Sequence, residues 1–174
     1  MKKFSFNHDY DIDAQSWIDI VFEPNQDAED ALLELENVKE RHEFWREEDD
    51  RFVHIKVRYS AMGMIPRPVR HILKPDMLTW IEESSYDKQG RFWTWNIVPH
   101  FFRDRITCKG KMSIVETGPE ACRRETRGFI DIRIPVVGDL AESVIIDHLK
   151  KNMAQEYGMF CKTMKERRDR KSVV

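Results

Sequence analysis

The six histidines are the first residues to consider, because an imidazole binds metals and transfers protons near neutral pH. They are His8, His42, His54, His71, His100 and His148. None has the spacing of a metal ligand relative to a second histidine, cysteine or carboxylate. His42-Glu43 does not begin a zinc-protease motif, because Arg46 stands where the second histidine would be. The sequence therefore predicts no metal site.

Motifs for a nucleophile or a cofactor are also missing. The chain has no Gly-x-Ser-x-Gly, no Ser-x-x-Lys, no phosphate-binding loop and no dinucleotide fingerprint, so we predict no cofactor and no catalytic set. Cys108 and Cys161 fall on predicted apolar faces, where a thiol has a raised pKa and low reactivity. With Cys122 the count is three, without a Cys-x-x-Cys pair or a secretory signal, which predicts free thiols and a cytoplasmic location.

Flexible and flat apolar side chains are what the sequence offers instead. Methionines fill irregular spaces, and tryptophans on strands form flat walls. The residues concerned are Met62, Met64, Met112, Met153, Met159, Met164, Trp80, Trp93 and Trp95. They either fill the interior or enclose a mostly apolar cavity, and periodicity does not separate these two outcomes.

Composition narrows the class of protein. The 174 residues carry 29 Lys and Arg against 31 Asp and Glu, with ten Phe, five Trp and four Tyr, which favours one folded domain over a disordered chain. No stretch of 18 residues lacks charges, so a membrane-spanning helix is not expected. Acidic residues prevail in 1–60 and basic residues in 61–174, but neither the overall charge nor any aromatic RNA-binding motif indicates nucleic acid.

These side chains need elements to position them, and periodicity predicts the elements. Residues 3–10 alternate as a half-buried strand does, and Asp13 stands at the N-cap of a short helix that carries Trp17. A second short helix is expected over 28–35. The other predicted elements are two strands joined by the acidic turn 47–50, a short helix from Pro68 to Pro75, and strands near 77–86, 91–98, 104–116 and 122–134.

The last two strands make a hairpin whose register is testable. If facing residues sum to 238, Ile106, Cys108 and Met112 face Ile132, Ile130 and Thr126 on one apolar side, and charged residues share the other. Cys122 then lies opposite Glu116, away from Cys108, so these cysteines are not expected to form a disulfide.

A long C-terminal helix over 139–168 follows, about 45 Å in length. Asp139 and Glu142 resemble a capping box at its start, and Leu140, Ile145, Leu149 and Met153 recur at helical spacing. A helix of this length with one apolar face needs a large concave partner, which a curved sheet supplies. We expect a single domain over 1–168 and a charged flexible tail over 169–174.

The order of the predicted elements resembles the helix-grip fold of the START-like (SRPBCC) superfamily. The opening KKFSFNHDYDIDAQSWIDIVF, the segment IPRPVRHILKP (65–75) and RGFIDIRIPVVGDLAESVIIDHLKKNMAQE (127–156) resemble a bacterial branch described only as a domain of unknown function. The resemblance implies an α+β fold: a curved antiparallel sheet of six to seven strands wrapped around a long C-terminal helix, with two short helices after the first strand. It also implies an interior cavity for a hydrophobic ligand, and it transfers no catalytic residues.

We therefore predict binding of a lipid-like or polycyclic small molecule between sheet and helix, with transport of that molecule as an open extension. The predicted lining residues are Val53, Ile55, Val57, Tyr59, Trp80, Trp95, Cys108, Met112, Ile130, Ile145, His148, Leu149 and Met153. The pattern carries no signal for an oligomeric state.

Two alternatives stay open. A cyclase or hydratase on the same fold would need converging polar groups, for which His148, His42 and Tyr157 are the candidates. An interaction module would instead use the charged outer face of the sheet to contact a protein or, transiently, an anionic membrane, through Lys109, Lys111, Arg127 and Arg133.

Overall fold

A computed structural model describes residues 1–22, 38–61, 74 and 77–171. The second short helix expected over 28–35, the helix from Pro68 to Pro75, and Met62 and Met64 lie outside the described residues. Neither α-helix of the described ranges combines the length and the apolar composition needed to cross a bilayer.

Seven strands and two α-helices make up the described parts of the chain. In order they are β1 (Lys2–Tyr10), α1 (Ala14–Phe22), β2 (Val38–Glu48), β3 (Phe52–Ala61), β4 (Thr79–Asp87), β5 (Phe92–Pro99), β6 (Ile106–Gly118), β7 (Ala121–Ile132) and α2 (Gly138–Lys171), with a 3₁₀ turn at Arg103–Arg105 before β6.

The strands form one curved antiparallel sheet in the order β1-β7-β6-β5-β4-β3-β2. Sequential strands from β2 to β7 are neighbours, and β1 pairs with β7 at the far edge. Helix α2 packs against β7 and β1, while α1 packs against β7 and β6. The predicted α+β helix-grip architecture is confirmed.

The register predicted for the β6–β7 hairpin is also confirmed. Ile106, Cys108 and Met112 pair with Ile132, Ile130 and Thr126, and Glu116 pairs with Cys122. The register shifts only between Glu116 and Gly118, next to the turn. All three cysteines are free. Cys108 and Cys122 are buried, but Cys161 is exposed, so its predicted place on an apolar face was wrong.

Helix α1 closes one end of the fold with aromatic side chains. The Asp13 carboxylate caps the helix by accepting a hydrogen bond from the Ser16 N–H at 2.9 Å. This start directs Trp17 into the core, where its side chain is 2% exposed and meets the rings of Tyr10, Trp93 and Phe160 at centroid distances of 5.5 to 6.0 Å. Tyr86 and Phe22 complete the same cluster.

The start of α2 differs from the predicted capping box. Glu142 is 2% exposed and accepts a hydrogen bond from the backbone N–H of Ile132 at 2.8 Å, so it ties the helix to the end of β7. The Ala141 N–H bonds to the Val137 carbonyl at 2.9 Å. The helix continues to Lys171, beyond the predicted end at 168. Residues 172–174 lie outside the described residues.

Candidate functional site

The sheet has an inner face, which contacts α2, and an outer face. Cys108 and Ile130 identify the inner face, because they pack in one cluster with Ala141 and Ile146 of α2. The pairing registers extend this face across the sheet. All nine strand residues predicted to line a pocket lie on it: Val53, Ile55, Val57, Tyr59, Trp80, Trp95, Cys108, Met112 and Ile130.

The four predicted helix residues divide differently. Ile145 is 36% exposed, and its neighbour Ile146 packs in the cluster with Cys108 and Ile130. Leu149, Met153 and His148 are half-buried. The Nδ1 atom of His148 is buried without a hydrogen-bond partner among the described residues.

Stacked aromatic rings form the walls of the inner face. Tyr59 stacks on Trp80 with centroids 5.4 Å apart and planes at 14°. Trp95 stacks on Phe4 at 6.0 Å, also at 14°. Strands β7 and β6 lie between the Phe4 and Trp95 rings, and there they carry the directly paired Gly128 and Gly110. A Cβ atom at Gly110 would collide with the Trp95 ring and with the Arg127 carbonyl oxygen, so this glycine lets the ring lie flat on the sheet.

Glu82 is a carboxylic acid on the inner face, and sequence reasoning missed it. It pairs with Val57 and Ile97, in the same row as Cys108. Removal from water raises the pKa of its carboxyl to about 7, although the Arg41 guanidinium opposes this shift. A carboxyl with this pKa is both donor and acceptor near neutral pH.

Tyr59 and Cys108 lie near Glu82 on the inner face, and the charge of Glu82 affects the pKa of both. Tyr59 pairs with Arg41 across β3 and β2, and the Arg41 Nε–H donates a hydrogen bond to the Tyr59 hydroxyl at 3.4 Å. Burial raises the pKa of Tyr59, with a smaller effect of the Glu82 charge, so the phenol stays protonated. Burial likewise raises the pKa of the Cys108 thiol to about 12, which makes that thiol unreactive.

The three side chains proposed for an enzyme do not converge. His42 is exposed and pairs with Arg58, on the outer face. The Tyr157 hydroxyl donates to the Asp9 carbonyl at 3.0 Å, and its ring lies 5.0 Å from that of His8. Burial and the charge of Arg124 lower the pKa of His8. Within the described ranges, no group of three or more His, Cys, Asp and Glu side chains is arranged to hold a metal.

The outer face has an open groove of about 770 Å³ that runs across the strands. Lys109, Lys111 and Arg127 border it over a floor that includes Gly110 and Gly128. The Lys111 ammonium lies 3.6 Å from the centroid of Phe92. Arg133 does not join these cations, since it follows the end of β7 and is bound to the Asp104 carbonyl at 3.1 Å.

Comparison with known proteins agrees with this architecture. Residues 8–162 match the profile of a family described as "Protein of unknown function (DUF2505)". No curated protein matches the sequence.

Three known structures illustrate the likeness of fold. A START superfamily protein from Mycobacterium smegmatis is 13% identical, with a TM-score of 0.53 over 90% of this chain and 95% of that one. The Zhui aromatase/cyclase from Streptomyces sp. R1128 is 10% identical, with a TM-score of 0.60 over 91% and 92%. Norcoclaurine synthase from Thalictrum flavum is 12% identical, with a TM-score of 0.63 over 91% and 85%. At these identities the likeness shows the START-like fold alone.

Proposed function

Since the chain belongs to the DUF2505 family of proteins of unknown function and has the START-like fold, we propose that it binds an apolar small molecule between the inner face and α2. The ligand is lipid-like or polycyclic, and the protein carries it between sites in the cell. The three free thiols support a reducing, cytoplasmic setting for this activity.

One observation carries the proposal. Aromatic side chains of the inner face stay half-buried although they point toward the helix side: Tyr59, Trp80 and Trp95. The far end of the fold is different, since Trp17, Tyr86 and Trp93 there are buried against one another, with Ile55 and Met112 packed against them. Half-buried inner walls beside a well-packed end favour a site whose walls become covered when a ligand enters.

Burial of hydrocarbon supplies the driving force. Each buried CH₂ group contributes about 0.8 kcal/mol, and ordering the ligand opposes part of this gain. A twelve-carbon chain is therefore long enough to give measurable affinity in an apolar pocket.

We expect 1-dodecanol to stabilise the protein against thermal unfolding. A ligand that binds only the folded state raises its stability by about 2.7 kcal/mol at a hundredfold excess over Kd. Differential scanning fluorimetry with increasing dodecanol, kept below its solubility limit, measures the shift in melting temperature. An unchanged melting temperature throughout the titration would count against the pocket.

Two neighbouring substitutions make a matched pair for this titration. Trp80 lies on the inner face, whereas Ile81 points to the outer face, where it pairs with Arg58 and Val98. Trp80→Ala should weaken dodecanol binding about tenfold through lost contact area, and Ile81→Ala should leave it unchanged. Equal effects of the two substitutions would place the ligand elsewhere.

The outer face favours a second role, as a transient contact with an anionic membrane from which an apolar ligand is taken up. The cations Lys109, Lys111 and Arg127 border the groove together, and near an anionic surface each contributes about 1 kcal/mol. We expect the protein to pellet with phosphatidylglycerol-containing vesicles and not with phosphatidylcholine vesicles, and K109E/K111E to abolish pelleting. Pelleting that is independent of lipid charge would refute this role.

A further inference from the structure

Three polar side chains lie close together on the β2–β4 part of the inner face. They are Glu82 on β4, Tyr59 on β3 and Arg41 on β2. Tyr59 pairs directly with Arg41 and with Trp80, and Glu82 is two residues from Trp80 on the same face. The three side chains therefore come from three consecutive strands and lie near one another on the same face of the sheet.

The hydrogen-bond donors and acceptors of these three side chains indicate the kind of ligand group that would suit them. The Tyr59 hydroxyl accepts from Arg41 Nε–H at 3.4 Å, so its own proton is left to donate. The guanidinium keeps further N–H groups, and a protonated Glu82 adds an O–H donor. Among the described residues, no hydrogen bond contributes to the shift in the pKa of Glu82. Within the described part of the chain the group therefore offers more donors than acceptors, and an acceptor from a ligand would match it.

The net charge of these three side chains limits the kind of acceptor that they would bind. With Glu82 protonated, the group carries the single positive charge of Arg41, and with Glu82 ionised it is neutral overall. We propose that Arg41, Tyr59 and Glu82 anchor the carboxylate of an apolar acid, such as a fatty acid or a polycyclic acid, whose hydrocarbon part fills the pocket. This inference rests on the proposed function, because it names the polar end of the same ligand.

The proposal predicts a dependence on pH, so the surrounding groups matter. Tyr59 and Cys108 stay neutral near pH 7, since burial raises both pKa values. On α2, Glu156 is held by Arg124 at 2.7 Å, and on β2, Glu43 is held by Arg46 at 2.7 Å. His148 on α2 is unchanged in every variant used below, so its effect cancels in the comparison.

Dodecanoate and 1-dodecanol, which share a chain length, test the anchor by isothermal titration calorimetry at pH 6 and pH 8. If only protein with protonated Glu82 binds the carboxylate, a pKa of about 7 makes dodecanoate affinity fall about tenfold between these values. Dodecanol affinity should not change. Glu82→Gln should remove the pH dependence for dodecanoate, whereas Glu83→Gln, on the outer face beside Lys56, should retain it. Arg41→Gln should weaken dodecanoate and spare dodecanol.

The outcomes separate the two proposals. If dodecanol binds but dodecanoate affinity is equal at both pH values, or depends on pH equally in Glu82→Gln, the carboxylate anchor is wrong and the pocket stands. If neither compound binds the folded wild-type protein at either pH, the pocket itself is refuted, and the anchor with it.

Discussion

Glu82→Gln is expected to raise the free energy of unfolding at pH 8 by at most about 3 kcal/mol. The carboxyl has a pKa of about 7 in the folded protein, against 4.5 without the fold. Between these values the folded state binds a proton that the unfolded state does not. Stability therefore falls as the pH rises through this window, and above it the full penalty of burying the charge applies. Glutamine has a similar shape and no charge, so it removes the penalty.

Urea unfolding at pH 4 and pH 8 measures this effect. Below pH 4.5 the carboxyl is protonated in both states, so the gain from Glu82→Gln should nearly vanish there. Glu83→Gln is the control, because Glu83 is a partly exposed outer-face residue paired with Lys56 at 2.9 Å, and exposed pairs contribute about 0 to 1 kcal/mol. A gain of the same size at both pH values would show that charge burial is not its cause.

Trp17→Ala is expected to destabilise the protein by about 4 kcal/mol. The indole is 2% exposed and is surrounded by rings from β1, β5 and α2, so its loss leaves a cavity that rigid neighbours cannot fill. Because α1 packs on the sheet through this residue, the same substitution should also loosen the closed end of the fold.

Val21→Ala on the same helix is the matched control for Trp17. Val21 is 45% exposed, so its truncation should change stability by about 0.5 kcal/mol or less. Urea midpoints of the two variants give the comparison directly. A loss for Trp17→Ala no larger than that for Val21→Ala would mean that α1 does not close the core as described.

The sheet was largely predictable from the sequence, because a strand has a period of two and paired strands constrain each other. A single assumption about the register of the β6–β7 hairpin placed Ile106, Cys108 and Met112 opposite their partners, and these pairs are confirmed. Directly paired residues point to the same side of a sheet, so once the inner face of one strand is known, the register gives the inner face of the next strand. This is why all nine predicted strand residues fell on the same side.

The helix face and the polar anchor were less predictable, for two physical reasons. Val144, Ile145 and Ile146 are consecutive apolar residues, so a period of 3.6 does not decide which of them faces the sheet. On β4, both faces mix polar and apolar residues, with Glu82 and Glu83 adjacent. Only the pairing of β4 with β3 and β5 shows that Glu82 points inward.

Native mass spectrometry of the freshly purified 174-residue chain tests the central claim most directly, because it reports bound ligand and stoichiometry together. The proposed pocket predicts a species heavier than the bare chain by one apolar molecule, which denaturation releases and solvent extraction recovers. After delipidation, added dodecanol should restore a one-to-one complex in the wild type and less of it in Trp80→Ala. A bare chain before and after incubation with dodecanol would contradict the account.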